Sequence, residues 1–116
     1  GFRYIKTNTV DIQNGYFLEN LVYLELLGRG YRIYIGKKYN GEIDFVVVNG
    51  GKKCFIQGAY VMVDGLAIER EFGAFSSIKD ASPKYVISMD QFDMSRDGII
   101  HLNLVEFLEG RELTFS

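Results

Sequence analysis

The chain has 116 residues and a net charge of −2, which fits one domain and excludes a protein that is polycationic as a whole. Apolar residues make up 47% and aromatic residues 15% of the sequence, so a disordered chain is excluded. One cysteine, Cys54, permits no internal disulfide, and with one histidine it makes no zinc site of the usual kind. No apolar run reaches the roughly 20 residues that span a bilayer, and the N-terminus lacks the apolar core of a secretory signal. These features predict a cytoplasmic protein with no membrane segment.

The first predicted element is a helix from Gly15 to Leu27, with Asn14 as its cap and Gly28 after its end. Its body reads YFLENLVYLELL and is apolar on nearly every side, which predicts burial on more than one face. Residues 1–13 show no pattern that assigns them to an element.

Three strands should follow, because alternating apolar segments are separated by Asn-Gly and Asn-Gly-Gly turns that are typical of hairpins. They are predicted at Tyr31–Ile35, Glu42–Val48 and Cys54–Met62. Such an arrangement forms an antiparallel meander.

The second half of the chain predicts a helix and then further strands. The segments are a helix at Leu66–Lys79, a strand at Lys84–Met89, a strand at Ile99–Leu104 and a helical turn at Val105–Leu108. A strand, a helix and a strand in succession imply a parallel crossover. We therefore expect an α/β fold with a central mixed sheet flanked by helices, in the order αβββαβ with a strand and helix at the C-terminus.

Asp44 is the most informative residue, because aspartate is rare inside strands and yet occurs within EIDFVVV. A buried carboxylate requires a partner, a metal ion or water. A turn at Gly50-Gly51 would set Asp44 opposite Gln57, so that both side chains lie on one face of the sheet. Either Glu19 or Glu25 of the first helix could join them, and their spacing does not decide which. Such oxygen ligands suit Mg²⁺ or Mn²⁺; alternatively, the polar groups satisfy one another or the backbone.

The segments GYFLENLVYLELLGRGY, GEIDFVV and CFIQGAY resemble the PD-(D/E)XK nuclease superfamily, also called restriction-endonuclease-like. Together with EREFGAF, SPKYVISMD and DGIIHLNLVEFL, they are similar to a C-terminal domain of unknown function in bacterial and archaeal AAA-type ATPases. The similarity covers residues 14–109. It implies that residues 1–116 are one nuclease-like domain from a longer ATPase, with the ATP site upstream and outside this chain.

The resemblance implies that Glu19, Asp44 and Gln57 form the catalytic and metal-binding frame, and it favours Glu19 over Glu25. The superfamily lysine should stand two residues after Gln57, where this chain has Ala59. Loss of a group that stabilises developing charge costs about 10²–10³ in rate. Arg70 on the second helix is the candidate for a relocated basic residue.

Basic side chains interleaved with tyrosines around the first strand are the candidate DNA contact, as in proteins that track a phosphate backbone. They are Arg29, Arg32, Lys37 and Lys38. The alternative is an ordinary solvated edge, where lysine prevents unwanted strand pairing.

Three functions remain open from the sequence. The preferred one is a catalytically impaired nuclease-like module that serves an ATPase in nucleic-acid binding, docking or regulation. The others are an active Mg²⁺-dependent DNA nuclease and a purely structural protein-interaction domain. His101 has no second histidine and no recognised nucleophile beside it in the sequence, so it is interpreted as structural.

Overall fold

A computed structural model describes the backbone of residues 2–36, 43–62 and 65–116, and side chains from residue 13 onwards within those ranges. Within these ranges the helices are α1 (Phe2–Gly28), α2 (Gly65–Gly73) and α3 (Leu104–Leu108). The strands are β1 (Arg32–Ile35), β2 (Phe45–Asn49), β3 (Lys52–Gly58), β4 (Lys84–Ser88) and β5 (Ile100–Asn103).

The strands form one mixed sheet in the order β1-β2-β3-β4-β5. The first three are antiparallel, whereas β4 and β5 run parallel to β3. Asn49 pairs with Lys52 across a turn in which Gly50 and Gly51 both have positive φ, as the sequence predicted. The expected α/β class, the antiparallel meander and the parallel crossover are thus confirmed.

Helices cover both faces of the sheet. One buried cluster joins α1 and α3 to the sheet through residues such as Leu18, Val22 and Phe107. A second cluster on the opposite face packs α2 against the sheet through Ala67 and Phe72. Below, these sides of the sheet are called the α1 face and the α2 face.

The bounds of the two longer helices differ from the sequence prediction. α1 begins at Phe2 instead of Gly15, so the segment without a recognised pattern is helical. α2 ends at Gly73 instead of Lys79, because glycine weakens helices and turns occupy residues 74–77. Phe75 still packs into the cluster of the α2 face through those turns.

The prediction that α1 is buried on more than one face is wrong. Leu18, Val22 and Leu26, spaced four residues apart, form its buried stripe. Phe17 and Leu24, by contrast, keep 66% and 61% of their surface exposed. The apolar residues of α1 therefore exceed what one layer of sheet can cover.

Candidate functional site

A cleft of about 290 Å³ lies between α1 and the ends of β1 and β2. It is lined by Tyr16, Glu19, Asn20, Tyr23, Ile35, Asp44 and Phe45. The structure thus brings together Glu19 of the helix and Asp44, the two acidic residues that the sequence analysis singled out. Glu25 does not line this cleft; its carboxylate binds Arg29 instead, at 2.8 Å.

Gly58 allows Glu19 and Asp44 to line one cleft while α1 packs against the sheet. A Cβ atom at Gly58 would stand 3.4 Å from Glu19 Cγ and 3.7 Å from Asp44 Oδ2. It would also stand 3.0 Å from Leu18 Cδ2, closer than ordinary packing allows. The absence of a side chain at Gly58 therefore lets α1 lie directly over the end of β3.

Asp44 is buried, and its position is fixed by three hydrogen bonds to two segments, the residue after β1 and the end of β3. Its Oδ2 accepts a hydrogen bond from the Gly58 N–H at 2.8 Å, and its carbonyl accepts one from the Gly36 N–H at 2.9 Å. Its own N–H donates to Gln57 Oε1 at 3.0 Å. The bond from Gly58 offsets part of the cost of burying the carboxylate, and the other two hold the backbone of Asp44.

Gln57 lies opposite Asp44 in the continued register of β2 and β3, as predicted, but its carboxamide does not line the cleft. Its Oε1 binds the backbone of Asp44, and its Nε2 donates to Glu71 Oε1 of α2 at 2.9 Å. The expectation that the amide and the carboxylate are directed at a shared spot beside the first helix is therefore corrected. Gln57 connects Asp44 to α2 and holds the backbone from which the carboxylate projects.

Ala59 and Arg70 both lie away from the cleft. Ala59 is buried in the cluster of the α2 face, among Phe55 and Met62. Arg70 is on α2 with 72% of its side chain exposed, 3.5 Å from Glu71. The structure does not bring Arg70 to Glu19 and Asp44, so Arg70 does not take the place of the lysine that the resemblance implies.

The predicted basic patch is not a set of equivalent surface cations. Arg29 donates from Nη2 to the Phe107 carbonyl at 2.7 Å and from Nη1 to the Arg111 carbonyl at 2.8 Å, in addition to its ion pair with Glu25. Its guanidinium also lies 4.4 Å from the centre of the Phe107 ring. Arg32 is exposed on the edge strand β1, whereas Lys37 and Lys38, like Glu42 and the Asn40-Gly41 turn, lie outside the described residues.

Among the described side chains, those of residues 13–36, 43–62 and 65–116, no group of three or more histidine, cysteine or acidic residues could hold a metal ion. Glu19 and Asp44 supply two carboxylates to one cleft, the number that an ion such as Mg²⁺ often takes while water or phosphate completes its shell. They do not fit a tight site made by protein ligands alone.

Ser88, Asp90 and His101 form a buried polar network that the sequence analysis did not find. His101 Nδ1 accepts a hydrogen bond from the Met94 N–H at 3.1 Å, so the proton of the neutral ring is on Nε2, 2.7 Å from Ser88 Oγ. Ser88 then donates to Asp90 Oδ2, which also accepts from the Met62 N–H. The signal in the sequence was the pair Ser88 and Asp90, two polar residues at and just after the end of the apolar run KYVIS.

The direction of these hydrogen bonds indicates that the network is structural and does not activate Ser88. A histidine that activates a serine must accept the hydroxyl proton. Here Nε2 of His101 donates a hydrogen bond to Ser88 Oγ, and the Ser88 hydroxyl donates one to Asp90 Oδ2. Burial lowers the pKa of His101 below its usual value, which is consistent with a neutral ring, although the nearby carboxylates of Asp90 and Asp93 act in the opposite direction.

No family model matches the chain, and no solved structure matches it. The chain is similar to an uncharacterized protein of Haemophilus influenzae, with 32% identity over 92 residues. Those residues cover 78% of this chain and 22% of the H. influenzae protein. The chain therefore spans about a fifth of the length of the curated relative that it matches.

In the described part of the chain, no helix combines the length and the apolar character that crossing a bilayer requires.

Proposed function

We propose that this chain is a nuclease-like module with a restriction-endonuclease-like fold, that it has lost cleavage, and that it binds nucleic acid for an ATPase of the AAA type. One observation carries the proposal: Glu19 and Asp44 share a cleft, while Gln57 and Ala59 contribute no metal ligand and no lysine to it. Two carboxylates without those partners support binding of a cation better than they support catalysis.

The fold is compatible with this proposal. A meander of three antiparallel strands continues into two parallel strands, with helices on both faces, which is the mixed sheet that the resemblance implies. The H. influenzae relative is long enough to contain further domains, as an ATPase parent requires. The proposal places the protein in the cytoplasm, where the thiol of Cys54 needs no disulfide partner.

A bound Mg²⁺ or Mn²⁺ ion would supply the positive charge that allows a backbone phosphate to approach the cleft. Glu19 and Asp44 would hold it, and Gln57 and Gly58 would keep Asp44 in place through their hydrogen bonds. Carboxylates and phosphates carry charges of the same sign, so a cation held between them should strengthen binding.

Binding and cleavage assays with Mn²⁺ and single-stranded, duplex and branched DNA test the proposal. We expect metal-dependent binding that weakens with salt, no cleavage, and loss of the metal dependence in Asp44→Asn, which can still accept the Gly58 hydrogen bond. Asp97→Asn is the matched control, because Asp97 has positive φ, which asparagine tolerates, and lies outside the cleft.

Two results would change the conclusion. Cleavage that Asp44→Asn abolishes would identify an active nuclease with a basic residue supplied from elsewhere. Failure of every DNA to bind, with or without Mn²⁺, would favour a domain that serves only in protein interaction.

A further inference from the structure

We propose that the cleft between α1 and the sheet accepts one unpaired nucleobase, with the ring of Tyr16 as its stacking surface, so that the protein prefers single-stranded to duplex nucleic acid. This inference rests on the proposed function and specifies the form of nucleic acid that the cleft takes.

One face of α1 supplies an aromatic and amide surface to the cleft. Tyr16, Asn20 and Tyr23 line it at spacings of four and three residues, which places them on successive turns of the same side of the helix. Tyr23 is partly buried at the inner part, with its ring centre 6.0 Å from that of Phe45. Tyr16 keeps 62% of its surface exposed, so its ring is available to a ligand.

The size and lining of the cleft suit a flat heterocycle. Its 290 Å³ is at the small end of ligand pockets, which run from about 300 to 1,000 Å³. Ile35 and Phe45 provide apolar contact, whereas the Asn20 carboxamide offers both a donor and an acceptor to the edge of a base. Stacking on a tyrosine is tolerant of sequence because every base has a π-face.

A duplex cannot use this surface. Paired bases are stacked inside the double helix, and reaching a pocket would require one to leave the stack at an energetic cost. An unpaired base in a single strand avoids most of that cost. The cleft therefore selects for single strands through the accessibility of the base.

The two acids determine where the phosphate can lie. Glu19 and Asp44 line the cleft beside the aromatic surface, and a divalent cation held there would attract the adjacent phosphate group. The base contact and the metal contact are therefore separate and can be removed independently.

Fluorescence anisotropy with labelled oligonucleotides in Mn²⁺ tests the proposal, with one strand measured alone and after annealing. We expect the single strand to bind at least about tenfold more tightly than the duplex, and Tyr16→Ala to weaken its binding by about tenfold. Tyr16→Phe should retain the affinity because it keeps the ring.

Phe17→Ala is the matched control, because Phe17 is an equally exposed aromatic on the same helix that does not line the cleft. Equal losses in Tyr16→Ala and Phe17→Ala would overturn the proposal in favour of unspecific apolar contact. Metal-dependent binding that is equal for single strand and duplex and insensitive to Tyr16 would also overturn it, while leaving the proposed function standing. Absence of metal-dependent binding to any nucleic acid would overturn both this proposal and the proposed function.

Discussion

At the scale of single residues, Arg29 shows how a side chain that resembles a surface cation can hold two helices together. Its guanidinium lies at the end of α1 and bonds to the carbonyls of Phe107 and Arg111, at and beyond the end of α3. Carbonyls at a helix end lack partners within the helix, so a cation there satisfies them and the helix dipole together. The fork of donors allows one side chain to reach both carbonyls and Glu25.

Arg29→Ala should lower the free energy of unfolding by about 2–4 kcal/mol, because it leaves carbonyls and the Glu25 carboxylate without their charged donor. Arg32→Ala, at an exposed position on β1, should change it by less than about 0.5 kcal/mol. Urea unfolding of both variants measures the difference. Equal stabilities would show that the bonds of Arg29 are not maintained in solution.

His101 should make stability depend on pH in a window where no other histidine titrates, since it is the only one in the chain. Burial lowers its pKa in the folded state, so the unfolded chain takes up a proton first as the pH falls through about 6.5. The free energy of unfolding should therefore be highest above that pH and decline below it. Urea unfolding from pH 7.5 to 5.5 measures this.

A charged His101 would carry a proton on Nδ1, facing the Met94 N–H that now donates to it. The loop that contains Met94 should then lose one of its hydrogen bonds to β5 and keep the one between the His101 N–H and Ser95 Oγ. Stability that stays flat, or that rises as the pH is lowered in this window, would contradict the neutral, buried histidine.

At the scale of elements, the junction of β1 and β2 depends on Gly36. A Cβ atom there would stand 2.1 Å from the Ile43 carbonyl oxygen, so only glycine lets the backbone segments approach and donate the Gly36 N–H to Asp44. This approach fixes the segment from which the Asp44 side chain enters the cleft.

Gly36→Ala should destabilise the protein by about 1–3 kcal/mol or more, because the clash is with backbone that must shift. Gly28→Ala at the end of α1 is the control: nothing lies within 4 Å of its Cβ position, so the change should be neutral or slightly stabilising. Thermal unfolding compares the two. A stable Gly36→Ala protein would mean that the segments are further apart than described.

The pairing of the meander strands was easier to predict than the ends of the elements, since β3 ends at Gly58 instead of Met62. Asn49, Gly50 and Gly51 fix a turn type, and the turn fixes the register up to Gln57, since residues pair one by one along a hairpin. Helix ends depend on packing: α1 extends to Phe2, so the predicted cap Asn14 lies inside the helix, and α2 stops at Gly73 although apolar spacing continues.

At the scale of the whole molecule, the class of fold and the pairing of Asp44 with Gln57 could be predicted from the sequence. The contacts that the two side chains make could not. Period-two alternation assumes a regular strand, but Asp44 lies before β2 begins, where the backbone bonds to Gly36 and Gln57 together. The hydrogen bond from Gln57 to Glu71 joins two segments that are apart in the sequence, so no local sequence pattern predicts it. Only the structure therefore shows which polar side chains lie on the α1 face and which lie on the α2 face.

The central claim is that Glu19 and Asp44 together form a cation-binding cleft on the α1 face. A Mn²⁺ titration followed by amide NMR locates the ion directly, because the paramagnetic ion broadens the signals nearest to it. We predict the earliest broadening at the amides of Glu19, Asp44 and Gly58, and its loss in Asp44→Asn but not in Asp97→Asn. Earliest broadening around Glu71 on α2, or broadening spread evenly over the surface acids, would contradict the claim.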